Sequence, residues 1–144
     1  MRDCLAFVLL ACTLLAVQAT PGDELAKEKE SLQGTWAAVS LIEKGRPQPA
    51  ADLKMFTLTI KGDKYIYTIG ARSFSAAYKL DPGKKPKAID VTFEEGPQKG
   101  KTMPGIYSLE GQELKICGGD KRPTEFVSNA KSDTVLFVFK RQKP

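Results

Sequence analysis

The strongest constraint on this chain is a succession of about eight short strand-like runs between residues 34 and 141, several of which alternate apolar and polar residues with a period of two, while the last holds a continuous apolar run, Val135 to Phe139. They cover 34–43, 55–61, 64–69, 73–80, 87–94, 102–109, 113–117 and 134–141. Turn-forming groups stand between most of them, among them Gly62-Asp63, Gly70-Ala71, Asp81-Pro82-Gly83 and Gly111-Gln112. No stretch of helical periodicity interrupts the series. Short connections make neighbouring strands antiparallel, and an open meander would leave two unpaired edges. Closing it on itself removes both. The expected fold is all-β: an antiparallel up-and-down barrel of about eight strands, whose interior is filled by side chains or holds one small ligand.

Alternation also sets the expected faces. In the first run Trp36, Ala38, Ser40 and Ile42 oppose Ala37, Val39 and Leu41. Further along, Phe56, Leu58 and Ile60 share a face, as do Tyr65, Tyr67 and Ile69, then Phe74, Ala76, Tyr78 and Leu80, then Ile89, Val91 and Phe93. Pro104 cannot donate to a ladder, so its run is expected at an edge or to carry a bulge there. Gly34-Thr35-Trp36 opens the first run. An inward indole there plugs one barrel end, and the glycine lets the backbone pass close to whatever crosses it.

Outside the strands, residues 23–33 are charged with few apolar points, which suits a short helix or arm at the barrel end, with Asp23 as N-cap and Gly34 as stop. Residues 50–54 suit one helical turn. The longest connection, 118–133, holds Arg122-Pro123-Thr124-Glu125-Phe126. Connections of that length tend to be functional. In an up-and-down chain it falls at the end opposite Trp36, with Phe126 placed either to fold over the mouth or to anchor the loop outside.

The first residues read as a secretory signal. Arg2 precedes an apolar run from Cys4 to Val17, and Val17-Gln18-Ala19 suits a signal peptidase cutting before Thr20. The run is short of the ~20 apolar residues of a membrane span. The alternative is a poor lipobox at Leu9-Leu10-Ala11-Cys12, which would acylate Cys12. The expected organisation is signal peptide 1–19, arm or short helix 20–33 and barrel 34–144, in a periplasmic or extracellular protein. Of the 3 cysteines, Cys4 and Cys12 leave with the signal, so Cys117 is alone and the domain is held by its core.

Composition narrows function further. The chain has 0 histidines, which removes Ser-His-Asp and Cys-His catalysis and histidine metal sites. Asp90 and Glu94 share a strand face but sit about 13 Å apart, too far to act as a pair. Glu95 and Glu125 read as solvated carboxylates, and Gly118-Gly119-Asp120 as a turn lacking P-loop or EF-hand spacing. No enzyme activity, metal or cofactor is expected. The net charge of +5 lies mostly in loops, at Lys84, Lys85, Lys87, Lys99, Lys101, Lys121 and Arg122, without the interleaved aromatics of a nucleic-acid surface.

Ordered blocks carry a resemblance: Leu32-Gln33-Gly34-Thr35-Trp36 with Val39-Ser40, Ile60-Lys61-Gly62-Asp63, Tyr78-Lys79-Leu80-Asp81-Pro82 and Lys85-Pro86-Lys87-Ala88-Ile89-Asp90. Gly96-Pro97-Gln98-Lys99-Gly100-Lys101, Gly105-Ile106-Tyr107 and Arg122-Pro123-Thr124-Glu125-Phe126 continue it. From about Leu32 to Arg141, the chain resembles a family of exported lipocalin-like domains, abundant in planctomycete bacteria and without assigned function. The resemblance implies a lipocalin-like fold and export, and transfers no catalytic residues. Wider lipocalins lay an Arg or Lys of the last strand across the Gly-x-Trp indole. Lys140 and Arg141 stand at that place, so Gly34, Trp36 and Arg141 are the expected structural barrel end.

The candidate ligand-binding residues are Phe56, Tyr65, Tyr67, Phe74, Tyr78, Tyr107 and Phe126, drawn from an inward aromatic set that also includes Phe93, Phe137 and Phe139. Inward tyrosine hydroxyls need partners, which a small wet pocket or a ligand with polar groups would supply. Two readings follow. One is a binding module for a small apolar or amphipathic ligand. The other is a filled barrel whose loops and basic rim contact an envelope protein.

Overall fold

The computed structural model describes Gln18 and residues 20–143. The signal peptide and the Cys12 alternative fall almost wholly outside the described residues.

A helix α1, Pro21–Leu32, precedes nine strands: β1 Gly34–Glu43, β2 Arg46–Pro47, β3 Phe56–Lys61, β4 Lys64–Ile69, β5 Arg72–Asp81, β6 Lys87–Phe93, β7 Thr102–Glu110, β8 Glu113–Gly118 and β9 Val135–Arg141. A second short helix, α2, Ala50–Leu53, lies between β2 and β3. Neighbours pair in the order β2-β1-β3-β4-β5-β6-β7-β8-β9, and β9 pairs back onto β1 from Trp36↔Arg141 to Glu43↔Val135. Every pairing is antiparallel. The protein is therefore a closed eight-stranded up-and-down barrel, with β2 as a two-residue appendage of β1.

The helix starts earlier than expected. Thr20 rather than Asp23 is the N-cap, its Oγ1 accepting from the Asp23 N–H at 3.4 Å, and Pro21 occupies the first turn, where its missing N–H costs nothing. The helix ends at Leu32, before Gly34, which instead begins β1 with φ of +126°.

The alternation of β3, β5 and β6 holds as expected, but β1 changes phase. Its register with β9 shifts between Ala38 and Ser40, leaving Val39 unpaired and 43% exposed. This bulge puts Leu41 in the core, where strict alternation from Trp36 would have placed Ser40 and Ile42. Beyond Ala37, β1 also parts from β3 and pairs briefly with β2. The turn of α2 packs against β1 there, burying Leu53.

Pro104 sits in an internal strand, not at an edge. Its carbonyl accepts from Gly119 N, on the side of β8 but beyond the last β7–β8 pair, Gly105↔Gly118. Its nitrogen therefore points past the end of β8, where the ladder needs no donor.

Two apolar groups result. The interior core includes Leu32, Trp36, Leu58, Ile60, Ile89, Val91, Leu114 and Ile116. Outside the barrel wall, Ala88, Ile106 and Cys117 sit side by side in register and are also buried. The 119–134 connection covers them.

Candidate functional site

The two ends of the barrel are built differently. At the end where β1 begins, the Trp36 indole is wholly buried and its Nε1 donates to the Leu32 carbonyl at 3.0 Å. The Arg141 guanidinium lies 4.2 Å over the indole, and its two terminal nitrogens donate to the Gln33 and Ser31 carbonyls at 2.6 Å each. One cation thus stacks on the plug and satisfies carbonyls at the end of α1. A Cβ at Gly34 would stand 3.0 Å from that guanidinium, so the glycine gives Arg141 room. The Gly62–Asp63 turn is tied in by Gln33, whose Oε1 accepts from Gly62 N at 2.7 Å.

Tyr78 and Tyr107 belong to this closed end. The Tyr78 hydroxyl donates to the Gly62 carbonyl at 2.8 Å. The Tyr107 hydroxyl donates to Glu28 of α1 at 2.8 Å, and Lys87 pairs with the same carboxylate. Burial pushes the Tyr107 hydroxyl far above the ordinary tyrosine range, with the adjacent Glu28 carboxylate adding to it. Both residues hold the helix and the hairpin in place and are absent from the cavity wall described next.

The opposite half of the barrel is hollow. A cavity of about 380 Å³ opens between the free ends of the strands. Phe56, Tyr65 and Tyr67, from β3 and β4, form part of its wall as the sequence suggested. Phe93 of β6 and Phe137 and Phe139 of β9 face them, with Leu41, Leu58 and Val91 deeper. Phe137 and Phe139 stack at 5.2 Å between centroids, and Phe93 meets Tyr67 edge-on at 5.6 Å. Glu43, Thr57 and Gln98 add polar side chains to the wall.

Phe74 stands one step behind the wall. It stacks on Tyr67 at 5.2 Å, and Gly96 crosses so close that a Cβ there would lie 2.8 Å from its ring. Phe126 does not line the cavity. Its connection runs over the outer wall. Arg122 donates to the Gly105 carbonyl and to Asp90, both at 2.7 Å, and the Val127 carbonyl accepts from the Cys117 thiol at 3.7 Å. Asp133 closes the neck of the loop by accepting from Asp120 N at 3.1 Å. The expected lid is thus fastened to the side of the barrel. Asp90 pairs with Arg122 and Glu94 with Lys64, so each of these carboxylates has a cationic partner.

Leu41, Val135 and Met103 are wall residues that sequence reasoning did not single out. The bulge hid Leu41. The β9 residues had a usable signal: counting back by twos from Arg141, which lies on Trp36, gives Phe139, Phe137 and Val135 on the inward face.

Fold and cavity together define a closed all-β barrel with one plugged end and one hollow end. No family model, curated protein or solved structure matches the chain. Among the described residues no helix is long and apolar enough to cross a membrane.

Proposed function

We propose that this chain is an exported lipocalin-like binding module, akin to the planctomycete domains it resembles, that holds one small apolar or amphipathic molecule in the open half of the barrel. The observation that carries the reading is the cavity of about 380 Å³. Its size falls within the ~300–1,000 Å³ of small-molecule pockets, and its wall is aromatic and aliphatic with few polar groups. A plugged opposite end supports a single route in and out. Apolar walls favour ligands by removing their surface from water, about 25 cal/mol per Å² before the costs of association.

The test is a fluorescence titration of the mature chain with N-phenyl-1-naphthylamine, a neutral apolar probe. Saturable one-to-one binding is expected. Val135→Trp, which adds bulk to the cavity wall, should weaken it strongly while leaving the fold intact. Absence of saturable binding by the wild type would favour the other reading, a barrel whose loops and basic rim contact an envelope protein. Export is tested by mass spectrometry of the secreted protein, with Thr20 as the expected first residue. An acylated Cys12 would overturn the cut before Thr20 and make the exported chain a lipoprotein.

A further inference from the structure

The four tyrosines separate sharply by what their hydroxyls meet. Those of Tyr78 and Tyr107 are hydrogen-bonded at the closed end. Tyr67, at the mouth, is half-buried. Tyr65 is different. It is 7% exposed, and among the described residues its hydroxyl makes no hydrogen bond to a side chain or the backbone. Yet among the described residues no fully enclosed side-chain oxygen or nitrogen lacks a partner. The Tyr65 hydroxyl therefore borders free space, and Tyr65 lines the cavity. Its ring packs 6.5 Å from that of Tyr78, on the side of the plugged end, which places it deep in the pocket. A hydroxyl there is open to water, and a ligand that displaces the water must offer a partner in its place or leave the hydroxyl unpaired at a cost.

The charges around the cavity narrow the chemistry of that partner. Among the described residues no lysine or arginine lines it, and the one carboxylate in its wall is Glu43, near the mouth. A carboxylate driven to the floor would lose its water without meeting a cation, and would pass Glu43 on the way. Burial holds the Tyr65 hydroxyl in its neutral, proton-donating form. Aromatic rings on facing walls suit a flat ring system, through stacked and edge-on contacts.

Resting on the binding reading above, we propose that Tyr65 is the polar anchor of the pocket, donating a hydrogen bond to a neutral oxygen acceptor, a ketone or ether, at the buried end of a flat aromatic ligand. The site selects against anionic heads.

Three probes of one shape test this: 2-acetylnaphthalene, 2-ethylnaphthalene and 2-naphthoate, titrated by calorimetry against the wild type and Tyr65→Phe. The wild type should bind the ketone about tenfold tighter than the ethyl analogue, the worth of one well-placed neutral hydrogen bond. It should bind the carboxylate most weakly. In Tyr65→Phe the gap between ketone and ethyl analogue should close, with the ethyl analogue binding at least as tightly as to the wild type because no unpaired hydroxyl is left beside it; a gap that persisted in the variant would overturn the anchor. Equal binding of ketone and ethyl analogue to the wild type would overturn the anchor while leaving the binding module standing. Tightest binding of naphthoate would overturn the preference for a neutral head. No binding of any of the three would sink both readings together.

Discussion

The closed and open halves of this barrel share strands but solve opposite problems. At the closed end each polar group carried inward has a partner: the Trp36 Nε1 finds Leu32, the Arg141 guanidinium finds Ser31 and Gln33, Tyr78 finds Gly62 and Tyr107 finds Glu28. At the open end the strands carry aromatics of similar size, yet they stop short of filling the space, and the Tyr65 hydroxyl is left facing it. The first half is built for stability and the second gives up packing for volume. Side chains of the same kind serve either purpose, depending on whether a helix lies across the strand ends.

The comparison predicts unequal responses to mutation, with the largest at the plug. Trp36→Ala removes a fully buried indole together with the surface Arg141 stacks on, and should cost about 3–5 kcal/mol of unfolding free energy in urea. Arg141→Ala should cost about 1–2 kcal/mol, because stacking and two carbonyl contacts are lost but water reaches the vacated site. If Trp36→Ala left the urea midpoint unchanged, the closed end would not be the stabilising half.

A smaller effect is expected at alkaline pH. The Tyr107 and Tyr65 hydroxyls are both pushed up from the ordinary value of 10.0, mainly by burial. A raised folded-state value means the folded protein holds its proton where the unfolded chain releases it. The stability this gives is complete below the unfolded value and is lost as pH rises beyond it. Urea midpoints should therefore hold near pH ~8 and fall toward pH ~11. Tyr107→Phe should flatten part of that fall. A midpoint that stayed level in the wild type would contradict the burial of these hydroxyls.

The smallest effect should come from Phe126→Ala. Its loop is fastened to the outer wall through Arg122 and Val127, so probe affinity should stay unchanged. A marked loss of affinity in the same titration would return the loop to the mouth as a lid.

Much of this was legible in the residues. Period-two alternation and the turn pairs marked the strands, and Gly34 and Trp36 marked the plugged end, because those signals are local, while Arg141 was marked only by the resemblance to wider lipocalins. Three features were not legible. The bulge at Val39 depends on how β9 closes against β1, a contact across about a hundred residues of sequence. Helix α1 takes Tyr107 for the plug through a carboxylate, Glu28, that no local pattern links to it. The course of the 119–134 connection depends on a second apolar patch, Ala88, Ile106 and Cys117, which alternation alone would have sent to solvent. Each is a long-range choice about which surface gets covered.

A crystal structure of the mature protein under xenon pressure distinguishes one hollow half above one packed half from a barrel filled throughout, since xenon settles in apolar cavities and not in close-packed interiors. Xenon density is expected among Leu58, Val91 and Phe137, and none between Trp36 and α1. A barrel without xenon, or with xenon beneath the Trp36 indole, would contradict that division.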